Sequence, residues 1–180
     1  MPGWKVKPEH WFWEQIKDGN LPQDAATLKE GWYLVDRRGK PNYQDDKQMY
    51  EDDYLAPFME NLRETGRVQK YRFVPDNSRF GASADEIEQV ILPELASILG
   101  SEGIVRSKRE IEFNVLGNMH YPEWGETNTW EWYADKFEDD SRLIGGHSGG
   151  GGLAHVSYDW SDNRHDGVGF APLVEFPSEA

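Results

Sequence analysis

The residues best equipped for chemistry crowd into the last forty positions. Gly145-Gly-His-Ser-Gly-Gly-Gly-Gly152 has the glycine density of a phosphate-cradling loop, and His147 stands beside Ser148 with Asp159 and Asp162 downstream. A phosphate loop, however, needs a Lys-Ser/Thr pair and a following helix whose N-terminus holds the anion, and neither is readable here. His147, Ser148 and an Asp have the types of a hydrolytic triad but no nucleophile-elbow pattern around them. His147, His155 and His165 are metal-ligand types at irregular spacing that matches no ligand pattern. Trp160-Ser-Asp-Asn163 offers carboxylate and amide oxygens of the kind that Ca²⁺ takes, without enough of them for a shell. Upstream, Asp45-Asp46, Asp52-Asp53 and Asp139-Asp140 could be taken for glycosidase acids. Adjacent aspartates more often point apart or cap helices than flank one sugar. Cysteine is absent, which removes disulfides, thiolate metal sites and thiol nucleophiles together. The expectation is therefore no catalytic residue, no metal and no cofactor, with the polar residues serving recognition.

The elements that must carry these residues are readable from periodicity. Pro8 followed by Glu-His-Trp-Phe-Trp-Glu-Gln-Ile-Lys predicts a short helix. Leu55, Phe58, Met59 and Leu62 make one stripe of a second helix over about Tyr54–Thr65, stopped by Gly66. Ser83-Ala-Asp-Glu86 is a capping box opening a third, with Ile87, Val90, Ile91, Leu95, Ile98 and Leu99 as its stripe, a kink at Pro93 and a stop at Gly100. Strands are predicted at Glu110–Leu116, Thr129–Ala134, Ala154–Trp160 and Val168–Phe176, Pro172 marking an edge or bulge in the last. Alternation sends Val156, Tyr158 and Trp160 inward and His155, Ser157 and Asp159 outward. Trp130, Trp132, Ile144, Val168 and Phe170 complete the expected core. Helices before strands argue for an α+β class with small, mostly antiparallel sheets.

The chain of 180 residues is long enough for one domain, 1–180. Eight Trp, eight Tyr and eight Phe supply its apolar bulk. Its formal charge of -14 argues against nucleic acid and anionic membranes as partners, and is compatible with calcium, sugars, a basic protein or solubility alone. No apolar run is long enough for a membrane span, and the opening Met-Pro-Gly-Trp-Lys-Val-Lys has no signal-peptide core. Localisation stays open.

Three motifs keep an order and spacing that belong together: Asn128-Thr-Trp-Glu-Trp-Tyr-Ala-Asp135, Arg142-Leu-Ile-Gly-Gly-His-Ser148 and Val168-Gly-Phe-Ala-Pro-Leu-Val174. From about Glu112 onward the chain thereby resembles the variable proteins of diversity-generating retroelements. That resemblance implies a C-type-lectin fold related to formylglycine-generating enzymes, whose chemistry requires the cysteines missing here. It implies an "N-x-W-E-W" strand, a "G-G-x-S" turn and a closing "G-F-R" strand, with Ala171 standing where the family usually has Arg. The resemblance further implies a ligand-binding role, with exchangeable residues on a fixed scaffold and an unknown protein or cell-surface structure as ligand. The alternative is a carbohydrate-binding domain of the calcium-lectin kind, or a glycoside-hydrolysing one. A calcium lectin would pair the tryptophan motif at Trp160 with an "E-P-N"-like triplet, for which Val74-Pro-Asp-Asn77 is in the wrong setting.

A compositional gap points the same way. From Ser141 to Val174 there is not one Lys, Glu, Gln or Met, whereas residues 1–140 contain 35 of these types. At that background, so long a gap arises by chance roughly once in ten thousand. Retroelements of this class mutate adenines in codons ending in cytosine, which encode none of those four residues and no Trp; Trp160 would then be fixed by packing. The variable region is expected at about 142–174. Its exposed face should comprise His147, Gly149, Gly150, His155, Ser157, Asp159, Asn163, Arg164, His165, Gly167 and Ala171.

Overall fold

The computed structural model describes residues 3–100 and 102–177, with the side chain of Pro177 not described. Met1, Pro2, Ser101 and residues 178–180 of the expected domain lie outside the described residues. Two sheets form the frame. A four-stranded sheet has the order β5-β4-β3-β6, from β3 (Trp130–Phe137), β4 (Ser141–Gly145), β5 (Val156–Trp160) and β6 (Val168–Gly169). Its pairings are antiparallel except for β3 with β6, which run parallel. A three-stranded antiparallel sheet places β7 (Pro172–Pro177) between β1 (Gly31–Val35) and β2 (Ile104–Ser107). The class is α+β, with mixed and antiparallel sheets.

The four-stranded sheet is covered on both faces. Trp132, Ile144, Val168 and Phe170 pack with Met59 and Leu62 of α2 (Ala56–Glu64) and Leu92 and Leu95 of α4 (Leu92–Leu99). On the other face Tyr133, Phe137, Leu143 and Val156 pack with Phe12 and Ile16 of α1 (His10–Asp18) and Phe113 of α5 (Glu110–Met119). Alternation along each strand divides the side chains between the two cores.

The helix starts follow local chemistry. In α3 (Ala84–Glu86), Ser83 Oγ accepts from the Glu86 amide at 3.2 Å and Glu86 returns a carboxylate oxygen to the Ser83 amide at 3.1 Å. Between α3 and α4 lies a π-helical turn, Ile87–Ile91, just ahead of Pro93. A proline ring crowds the carbonyl four residues back and brings no N–H to it, and a widened turn relieves both. Gly19 and Gly100 close α1 and α4 in the left-handed conformation.

Three sequence expectations are corrected. Glu110–Leu116 is not a strand but most of α5. The helix is buried from Glu110 through Val115, its polar Glu110, Glu112 and Asn114 included, so the polar residues mark no solvent face and their alternation with Ile111, Phe113 and Val115 mimics a strand. Its first turn is stabilised by Glu112, which accepts from the Arg109 amide at 2.8 Å, and by Asp135, which accepts from the Glu110 amide at 2.7 Å. Second, Val168–Phe176 is not one strand: the chain changes sheets at Phe170-Ala171. Pro172 is the first residue of a central strand, a position where its missing N–H costs the ladder little. Third, Tyr158 and Trp160 share the inward face with Val156 but are 47% and 57% exposed. They lie on an edge strand; Tyr158 stacks on Trp11 and meets the buried Phe137 at a tilt, while its own outer side stays open to solvent. The exposed Trp160 is thus not fixed by burial. Trp130 is only partly buried against its core.

Candidate functional site

Trp130 opens β3, and its amide donates to the Gly167 carbonyl at 2.8 Å, fastening the start of the strand to the loop before β6. One part of the indole packs on the core beside Ile144 and Val168. The rest is flanked by His147, with ring centroids 5.0 Å apart, and by His155 at 4.4 Å. The two imidazoles are themselves 6.1 Å apart, edge to face.

The glycine segment divides into two kinds. Gly146, Gly151 and Gly152 have φ of 81°, 123° and 62°, a region open to glycine at little cost. Gly145 has the His155 carbonyl 2.3 Å from where a Cβ would stand. These four are backbone requirements. Gly149 and Gly150 lie in a 3-10 turn outside the left-handed region, exposed, with only the His147 and His155 rings beside them. His147 caps that turn: its Nδ1 accepts from the Gly149 amide at 3.1 Å, which leaves Nε2 to carry the proton of the neutral ring. Below it, buried Lys40 donates from Nζ to the Gly146 carbonyl at 3.0 Å, and burial pulls its pKa down to about 8. Burial also lowers the pKa of His155, against the opposing pull of Glu9.

The loop after β5 is organised by Asp159. One carboxylate oxygen accepts from the Trp160 amide at 2.7 Å and from Asn163 Nδ2 at 2.8 Å; the other lies 2.6 Å from His165 Nε2. The loop is also pinned from beneath, because the amides of Gly81 and Asp85 donate to the carbonyls of His165 and Ser161. The segment supplying Gly81 is itself held by buried Arg63, which donates to the carbonyls of Pro75, Asp76, Ser78 and Phe80. Ser157 lies between His155 and Asp159 on the same side of the strand. Trp130, Ile144, Asp159, His165, Asp166, Gly167 and Val168 line an open, shallow cavity of about 280 Å³.

Nine of the eleven expected residues gather on one side around Trp130, Gly149 and Gly150 exposed and His147, His155, Ser157, Asp159, Asn163, His165 and Gly167 half-buried, so the face is less open than the sequence suggested. Arg164 belongs to the same loop, but its guanidinium turns to Glu86, which it meets at 2.9 Å. That contact, with the Gln69 and Ser83 amides, holds the Glu86 carboxyl below its usual range despite burial. Ala171 is a correction. It is 3% exposed at the sheet crossover, and its carbonyl accepts from buried Lys108 Nζ at 3.2 Å, so it cannot belong to a surface.

Three members of the site were missed in the sequence. Trp130 reads as core because it shares a strand face with Trp132. Asp166 sits in the same polar turn as its neighbours and could have been included on that ground alone. Tyr43 lies more than a hundred positions upstream with no local signal; its hydroxyl donates to Asp166 Oδ2 at 2.7 Å, and that bond pushes the phenol up to about 12.

The catalytic arrangements weighed from the sequence do not assemble. The His147 Nδ1 is occupied by a backbone amide, and Asp159 faces His165 instead of His147. Asp53 meets Arg79 at 2.6 Å, Asp45, Asp46 and Asp52 occupy positive-φ turns, and Asp139 and Asp140 form the β3–β4 turn. Among the described residues, no three His, Asp or Glu side chains gather as metal ligands. No helix among them is long and apolar enough to cross a membrane. No family model, curated protein or solved structure matches the chain.

Proposed function

We propose that this chain is a ligand-binding protein in which a fixed scaffold of the C-type-lectin type presents exchangeable residues, diversified by a retroelement, to a protein or cell-surface ligand. No catalysis and no cofactor enter this reading. The observation that carries it is the coincidence of two independent patterns. The stretch lacking Lys, Glu, Gln and Met supplies nine neighbouring residues on one side of the molecule. Lys40, Arg63, Glu86 and Trp130, which brace that side from beneath, come from outside the stretch, while His147, Asp159 and four glycines inside it shape the loops themselves. Such a division suits recognition by loops on a rigid base.

Three experiments test the reading. The surrounding DNA should contain a reverse transcriptase gene and a second copy of the 142–174 coding region that differs from this one at adenines. In the protein, combined replacement of His147, His155, Ser157 and Gly167, all half-buried, should change which ligands bind while unfolding stays cooperative at a lowered midpoint, since His147 caps the 3-10 turn and His155 packs on Trp130. Variants that lose cooperative unfolding would sink the reading. A glycan array with and without calcium separates it from the lectin alternative, for which calcium-dependent binding is required.

A further inference from the structure

We propose that the cavity beside Trp130 accepts an arginine side chain from a protein ligand. This rests on the reading of the face as a recognition surface and names the chemistry it selects. At about 280 Å³ the cavity falls just below the range that encloses a drug-sized molecule. It suits one inserted side chain.

Its walls choose the type. Trp130 contributes an aromatic surface, and tryptophan is the strongest partner for a cation lying over a ring. Asp159 and Asp166 contribute carboxylates. Beyond Asp166, Tyr43 also feels the negative charge of Asp45 and Asp46, so the acidic side continues past the mouth. The cations in the neighbourhood are already engaged. Arg142 makes two 2.8 Å hydrogen bonds to Glu88, Arg164 pairs with Glu86, Lys40 is bonded to the Gly146 carbonyl, and Lys108 lies 2.7 Å from Glu131. Asp159 accepts from the Trp160 amide and Asn163, and the titratable group it meets is His165, which carries charge only when protonated. An aromatic wall with a carboxylate at its edge matches a planar guanidinium, which can stack and donate two parallel hydrogen bonds at once. An ammonium meets only one of these demands well. The overall charge of -14 adds long-range attraction for a basic partner.

The test uses the intact chain with ¹⁵N-labelled indoles and three short peptides identical except for one residue: arginine, its neutral isostere citrulline, or lysine. The arginine peptide should shift the Trp130 indole resonance saturably, the lysine peptide more weakly and the citrulline peptide little. Asp166→Asn should weaken arginine binding by about tenfold, the scale of one lost charge-assisted hydrogen bond. Asp162→Asn, a charge-matched change at an exposed residue outside the cavity, should leave it within twofold. Equal shifts from citrulline and arginine, equal effects of the two variants, or no Trp130 response to any peptide would each overturn the proposal. A chitosan oligomer that shifts Trp130 more strongly than the arginine peptide would overturn it in favour of a cationic sugar. These outcomes are separable from failure of the recognition reading itself, which is decided by whether combined exchange of the face preserves folding.

Discussion

A methyl group on Gly150 would fall 2.4 Å from the His155 ring, and one on Gly149 would fall 2.9 Å from His147. Neighbouring positions of the face are thus not free of one another, even though both glycines have backbone angles open to any residue. Gly150→Ala should cost about 1 kcal/mol or more, as overpacking at a closed contact does. In a His155→Ala background the same change should cost little, so that the urea midpoints of the four proteins give a coupling of similar size. Equal costs in both backgrounds would show that His155 swings away freely. Gly167 is the contrast: its nearest neighbour across space is Tyr43 at 3.9 Å, and substitutions there meet no such partner.

At the level of elements, α5 depends on a buried carboxylate. Asp135 accepts from the first amide of the helix, yet burial raises its pKa from 3.8 to about 6. Glu110, equally buried, is pushed well up by the same cause, and Asp135 adds to it. The native state therefore binds more protons than the unfolded chain from about pH 4 upward, so Asp135 lowers stability as pH rises to about 6 and is level above, while Glu110 acts in the same sense and continues beyond it. His155, pushed down, acts in the opposite sense, which makes the comparison between parent and Asp135→Asn the decisive one. Across pH 4 to 6 the parent's urea midpoint should fall more steeply than the variant's; parallel curves would remove Asp135 from the account. This helix is also where the sequence was least legible. Ile111, Phe113 and Val115 alternate as a strand would, because burial on all sides erased the period that identifies a surface helix. Where burial was one-sided, as in α1 and α2, or the cap was local, as at Ser83, the sequence read correctly. Strand β5 was legible in its alternation but not in its exposure, since nothing in Tyr158 or Trp160 says that the strand lies outermost. The face itself was legible through the residue types missing from the window, a trace of composition instead of packing. Trp130 and Tyr43 carry no such trace, and only the fold brings them there.

On the scale of the whole molecule, the two sheets are tied by the step from β6 to β7, two residues wide at Phe170-Ala171. Strand β7 pairs with β1 on one side and β2 on the other, so the three-stranded sheet has no direct β1–β2 contact to fall back on. A chain ended after Ala171 should fail to unfold cooperatively and should lose its near-ultraviolet circular dichroism. Retention of the parent's midpoint would show that β7 is dispensable. The order of coding follows from this placement. The central strand is read after His147, His155, Asp159 and Gly167, and a message that slips its frame anywhere before Pro172 delivers no such strand. A frameshift between Ser107 and Pro172 would leave β1 and β2 each with an unsatisfied edge, whichever side chains the face carries.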